Sequence, residues 1–195
     1  MLALLNQLAV SFDLPILDWI QANLTSPLAD EIWPRITLLG DDGIFWIALA
    51  VILLFFRKTR RTGLGMGIAM ALGLLVCNII LKPTVGRPRP YDYQEELGVI
   101  IPLITKRMHD FSFPSGHTIA SFEASVVILL NHKKAGIAAL VLAFLIAFSR
   151  LYLYVHYPTD VIVSIFLGTA FAFLGNFLSG KVMNHLPQRK GKFER

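Results

Sequence analysis

The chain has 195 residues, of which 55% are hydrophobic, with a mean hydropathy of +0.61 and a formal net charge of +5. A water-soluble domain of this length does not carry so much apolar sequence, which excludes that class and leaves an integral membrane protein. The single cysteine, Cys77, lies within an apolar run and excludes a disulfide framework.

Residues 1–24 are apolar but interrupted by Asn6, Gln7, Asp13, Pro15, Asp18 and Gln21, which fits an amphipathic or partly embedded helix better than a clean span. No Lys or Arg precedes Arg35 and no small-residue cleavage pattern is present, so insertion is expected to use the spans themselves. Ser26 and Pro27 open a short helix as N-cap and first helical residue. That helix runs to about Leu39, and Gly40-Asp41-Asp42-Gly43 breaks it. A span is predicted over 44–56, ended by Arg57–Arg61, and another over 64–81, ended by Lys82 and Pro83. In the second, Gly63, Gly65, Gly67 and Gly73 offer close helix approach.

The connection 91–113 carries an apolar patch at Val99–Ile104, broken by Pro102, and reads as a lid on the bilayer surface. Further spans are predicted over 118–130, over 135–154 with Tyr152 and Tyr154 as an interfacial aromatic belt, and over 159–178 starting from Pro158. The fold class is therefore all-α, a polytopic membrane bundle of about six helices. No repeat or linker divides it, so 1–195 reads as a single domain: 1–43 amphipathic or partly embedded, 44–178 core spans, 179–195 a basic cytoplasmic tail.

If the later spans cross regularly, one face collects Arg57–Arg61, Lys133, Lys134 and the tail, which is 11 of the 18 Lys and Arg residues. The other 7, among them Lys82, Arg87, Arg89 and Arg150, fall on the opposite face or near it. The positive-inside rule makes the first face cytoplasmic and the second extracytoplasmic. A basic footprint split in this way does not suit nucleic acid.

The extracytoplasmic face holds three polar clusters. Lys82 and Arg89 flank Pro83-Thr84-Val85-Gly86-Arg87-Pro88, an expected ordered turn rather than a helix extension, and with Arg150 they form an environment for a phosphate. The alternative for Arg87-Pro-Arg-Pro90 is snorkelling or headgroup contact at a helix end. Pro114-Ser-Gly-His117 precedes a helix, so the Ser115 and Gly116 amides are candidates to face an anion at its N-terminus, with His117 beside it. An N-cap turn with an incidental histidine is the alternative. His156 and Asp160 stand four apart across Pro158, close enough for the carboxylate to fix one ring nitrogen and leave the other as nucleophile or base. The alternative is a helix-terminal Asp and a surface histidine. No cluster has metal-ligand spacing, and neither metal nor other cofactor is expected.

Taken jointly and in order, Lys82-x6-Arg89-Pro90, Pro114-Ser-Gly-His117 and Ser149-Arg150-x5-His156-x3-Asp160 resemble the signature of the type 2 phosphatidic acid phosphatase family, with every motif position matched. The resemblance covers residues 64–178. It implies a six-helix core and hydrolysis of a lipid phosphate or diphosphate without a metal. It also implies that His156 attacks phosphorus to give a phosphohistidine, that Asp160 orients its ring, and that His117 protonates the leaving oxygen and then activates water. Lys82, Arg89, Arg150, Ser115 and the Gly116 amide are implied to hold the phosphoryl oxygens.

Undecaprenyl diphosphate is the first substrate expected, with phosphatidylglycerophosphate or phosphatidic acid next. The expected setting is the plasma membrane, with a lipid phosphate and the bilayer as partners. Two other readings are a lipid phosphotransferase using the same phosphohistidine, and a non-catalytic lipid-binding or transport protein. His109 and Asp110 are expected to be loop polar groups. Glu123, six residues past His117 and so about 240° round the helix, is expected on a different face as a partner to a neighbouring helix or a lid contact.

Overall fold

Within a bilayer an apolar chain has no water to hydrogen-bond its backbone, so long apolar segments become helices. The computed structural model describes residues 2–185, and all regular structure among them is helical. The basic tail residues Arg189, Lys190, Lys192 and Arg195 lie outside the described residues.

The first body runs over 2–24: α1 (Leu2–Leu8), a π-helical turn (Ala9–Asp13) and α2 (Leu14–Leu24). The wider turn ends on Asp13, which is fully buried. In α3 (Pro27–Leu38), the Ser26 hydroxyl accepts the Ala29 N–H at 3.2 Å and Pro27 takes the first position, the N-terminus read from the sequence. A 3₁₀ turn, Asp41–Gly43, carries the chain into α4 (Ile44–Phe55) through left-handed backbone at Asp42 and Gly43. Next come α5 (Arg60–Gly73), a π-helical stretch (Leu74–Leu81) and α6 (Lys82–Val85). The helix therefore extends one turn past Lys82, where the sequence implied a turn. It stops at Gly86, at φ 62° the left-handed residue that a helix C-terminus takes up most easily. Then follow α7 (Pro90–Glu96), α8 (Gly116–Asn131), α9 (Lys133–Tyr152) and α10 (Pro158–His185).

Pro27–Phe55, Arg60–Glu96, Lys133–Tyr152 and Pro158–His185 are long and apolar enough to cross a membrane. The segment read as a span over 118–130 is different: α8 has only 16 residues and packs against α5, α9 and α10 at the bundle centre. Protein rather than lipid surrounds it, so its length need not match the hydrocarbon. The outer helices instead carry the exposed apolar side chains, among them Phe55, Phe144, Phe166 and Phe173.

Close packing depends on the expected glycines in part. A methyl on Gly63 would come within 2.5 Å of the Ala50 carbonyl, but one on Gly67 would meet nothing, because Gly67 faces a cavity. Tyr152 and Tyr154 are not an interfacial belt. Both are buried, and their hydroxyls donate to Asp30 (2.5 Å) and Asp18 (2.6 Å), so the polar end of each ring is satisfied inside the protein.

The two ends of the bundle differ in kind. At one, Arg61 packs beside Gly180, and Asn131 Nδ2 donates to Asn176 Oδ1 at 2.8 Å, which gathers Arg61, the α8–α9 turn and the end of α10. At the other end meet Arg87, Arg89, His117, Arg150, His156 and Asp160.

Candidate active site

The α9–α10 connection builds one wall. Tyr154, with φ 57°, turns the chain so that His156 points inward, and Pro158 restarts the helix with Asp160 in its first turn. Asp160 is fully buried; its Oδ1 accepts from Arg87 Nη1 (2.5 Å) and its Oδ2 from Ser112 Oγ (2.9 Å) and the Tyr157 N–H (3.1 Å). His156 Nδ1 lies 3.5 Å from Asp160 Oδ2, and Nε2 lies 3.4 Å from Arg89 Nη1. Burial, reinforced by the positive charges of Arg89, Arg150 and Lys82, holds the His156 imidazole well below its ordinary 6.5, so it is neutral at pH 7.

Arg87 backs this wall rather than snorkelling. It is fully buried, pairs with Asp13 (2.7 Å) as well as Asp160, and stacks on the Tyr157 ring at 3.6 Å. Asp13 also accepts the Thr159 N–H (2.9 Å) and hydroxyl (2.7 Å).

The facing wall starts at α8. His117 Nε2 is 2.7 Å from Asp41 Oδ1 and 3.3 Å from Arg150 Nη1, and its ring lies against Gly40, where a methyl would come within 2.7 Å. Arg150 is buried, donating to Thr37 Oγ1 (2.5 Å) and to Met108 Sδ (3.5 Å). Lys82 and Arg89 both pair with Asp110, so that residue is part of the site rather than a loop polar group. Burial pushes the Asp110 carboxyl up, but the Lys82 hydrogen bond and Arg89 outweigh it and bring it down to about 2. His109 stays exposed.

Of the two amides expected at an anion, that of Ser115 is already used. It donates to Ser164 Oγ at 2.9 Å, while the Ser115 hydroxyl accepts from Thr118 at 3.0 Å. Gly116 lines the cavity.

Lys82, Arg89, His117, Arg150 and His156 thus open onto one cavity of about 790 Å³, which continues between α4 and α5 past Ile47, Val51 and Gly67 to Leu54 and Gly63. A cationic head and an apolar trench suit an amphiphile whose anionic end sits between the histidines. Glu123 lines the trench too, so it shares a cavity with His117 despite the helical offset.

Fold and site together define a polytopic helical membrane protein with a two-histidine, three-cation anion pocket. The profile of the PAP2 superfamily matches residues 62–182, and the chain belongs to that superfamily. It is 32% identical over 130 residues to an undecaprenyl-diphosphatase of Sulfolobus acidocaldarius, the match covering 66% of this chain and 61% of that protein, so it spans about three fifths of that relative's length. It is 34% identical over 165 residues to phosphatidylglycerophosphatase B of Bacillus subtilis, covering 77% and 75% of the two chains. The crystal structure of a transmembrane PAP2-type phosphatidylglycerolphosphate phosphatase from Bacillus subtilis aligns with a TM-score of 0.65 at 30% identity, covering 81% of this chain and 80% of that one. Asp13, Thr37 and Asp41, which complete the site here, precede the matched residues.

Proposed function

We propose that this protein is an integral membrane lipid phosphatase that hydrolyses a lipid phosphate or diphosphate through a phosphohistidine. The observation that carries this reading is the pair of histidines on opposite walls of one cavity, each within 3.4 Å of an arginine, above an apolar trench. With Asp160 facing Nδ1, the His156 proton sits on that nitrogen and the Nε2 lone pair faces the cations. Nε2 attacks phosphorus, the phosphorus–oxygen bond to the lipid breaks, and His117 gives its proton to the leaving oxygen. A water then loses a proton to His117 and attacks phosphorus, the phosphorus–nitrogen bond breaks, and phosphate leaves. Lys82, Arg89 and Arg150, with the Gly116 amide and the Ser115 hydroxyl, neutralise the equatorial oxygens.

The similarity to an undecaprenyl-diphosphatase supports undecaprenyl diphosphate as the first substrate to try, with phosphatidylglycerophosphate and phosphatidic acid beside it. The distribution of positive charge supports an extracytoplasmic site and a cytoplasmic carboxyl tail.

The test is phosphate release by purified protein in detergent with EDTA, for wild type and His156→Ala on each of the three lipids. Release that persists in EDTA and falls at least about 10⁴-fold in the variant is expected. Unchanged release by His156→Ala would remove the phosphohistidine. Product formation that depends on an added alcohol would instead point to phosphotransfer.

A further inference from the structure

Glu123 stands in the wall of the trench, and catalysis as derived above does not use it. It is 1% exposed, and its Oε1 has no hydrogen-bond partner among the described residues. An unmatched carboxyl in an apolar wall is costly in either protonation state, because one form strands a donor and the other a charge. Its seat is nonetheless shaped for it: a methyl on Gly73 would lie 2.0 Å from Oε1, so α5 is pared back to glycine where the carboxyl rests. Between this seat and the cations lies a second polar group, Asn78, which is exposed, lines the same cavity and sits beside Gly116. Six residues of helix separate His117 from Glu123, about 9 Å along the axis. Polar positions therefore step down the trench from the phosphate pocket, through Asn78, to Glu123, and below them the walls at Val51 and Leu54 are apolar.

We infer that Glu123, with Asn78 above it, is a specificity-determining contact for an oxygen function next to the lipid's phosphate, an ester carbonyl or a hydroxyl. A glycerol-based lipid phosphate carries such oxygens at this depth. A prenyl chain offers only hydrocarbon there and leaves Glu123 unmatched. This deepens the lipid-phosphate reading, rests on it for the location of the head group, and within it places glycerol-based lipids ahead of the prenyl diphosphate that similarity alone puts first.

Binding rather than turnover tests it, by displacement of a fluorescent lipid phosphate from the purified full-length protein in detergent, with every variant and the reference that is wild type at Glu123 and Gly73 carrying His156→Ala so that neither probe nor competitor is hydrolysed. The competitors are phosphatidic acid, which offers carbonyls; a 1-alkyl lysophosphatidic acid, which offers a hydroxyl and no carbonyl; and dialkyl phosphatidic acid, which offers neither. The reference is expected to bind one of the first two about tenfold more tightly than the third, and which of the two it is names the oxygen read. Glu123→Leu should bring that ratio to about one, and Glu123→Gln should keep most of it. Gly73→Ala, which displaces the carboxyl from its seat, should shrink the ratio as well and serves if the leucine variant fails to fold. A reference ratio of one, or a ratio that survives Glu123→Leu or Gly73→Ala, overturns the assignment. Failure of the phosphatase reading appears separately, as absent phosphate release while the binding ratios still hold.

Discussion

His156 and His117 face the same cavity from walls built in opposite ways. The His156 wall is sealed: Asp160, Arg87 and Asp13 have no exposed surface, and every link between them spans a turn or a helix end. The His117 wall is open: Asp41 is 47% exposed and Asp110 52%, and both belong to connections rather than to helices. A nucleophile gains from a fixed, dry setting in which its lone pair keeps one direction. An acid that must meet a leaving group arriving from the bilayer, and later a water, needs access. The contrast teaches that rigidity and access are divided between the walls.

The strongest way to break the contrast is at Arg87. Arg87→Met keeps much of the side-chain volume but strands two buried carboxylates, and removing one partner of a buried ion pair costs about 3–5 kcal/mol. Thermal unfolding in detergent should show that loss, with His156 activity lost alongside. A stable Arg87→Met protein would mean that the sealed wall is not held by charge.

On the open wall, Asp41→Asn keeps the shape of the contact with His117 and removes its charge. The variant should fold with little change in melting temperature, while kcat for phosphate release falls about tenfold at unchanged KM, since only the proton-transfer step loses support. A fall in stability as large as that of Arg87→Met would make the two walls equivalent.

The sealed wall was only half legible in the sequence. His156, Asp160, Arg89, Arg150, Lys82 and His117 stand out because each is polar at the end of an apolar run, where polarity needs a reason, and Gly116 because its amide opens a helix. Their partners do not: Arg87 meets Asp13 from 74 positions away, and Arg150 meets Thr37 from 113 away, pairings that packing creates and local pattern does not encode. A signal did exist at Asp13, a carboxyl in an apolar stretch, the same argument that singled out Glu123. Asp41 was hidden differently, since Gly-Asp-Asp-Gly reads as a break between helices whether or not one aspartate points inward. The helix count was legible from apolar runs. The central position of α8 was not, because a helix enclosed by protein and one facing lipid have similar composition, and Tyr152 and Tyr154 misled for the same reason.

Acidification should load the sealed wall more heavily than the open one. The His156 imidazole titrates well below 6.5 in the folded protein, so between those values the unfolded chain binds a proton that the native one does not. Stability falls as pH drops below about 6.5, by up to about 1.4 kcal/mol per unit from this group. Asp110 acts with the same sign lower down: its depressed carboxyl contributes stability above the ordinary 3.8 that is lost as pH falls from there through about 2. Unfolding midpoints between pH 7 and 4.5 should therefore decline in wild type and stay flatter in His156→Gln. His117 on the open wall is also held below 6.5, chiefly by burial, so the slope that remains in His156→Gln is its share, and a His156→Gln profile as steep as wild type would assign the acid sensitivity to the open wall.

The smallest effect is expected where the open wall meets solvent. Arg107 bridges Asp92 (2.6 Å) and Glu95 and lies 5.3 Å from the Tyr91 ring, yet all three charges are substantially exposed, and exposed pairs add little. The loop that carries Met108 to Arg150 has a firmer tie, because the Tyr91 hydroxyl donates to the Met108 carbonyl and accepts its N–H, both at 3.0 Å. Arg107→Gln should change phosphate release by less than about twofold, and its small effect should shrink further in high salt. Tyr91→Phe, which removes both ties while leaving the charges, should reduce release more than Arg107→Gln does. The reverse order would mean that surface charge, not the buried hydroxyl, holds the loop over the cations, and the open wall would then be sensitive to ionic strength.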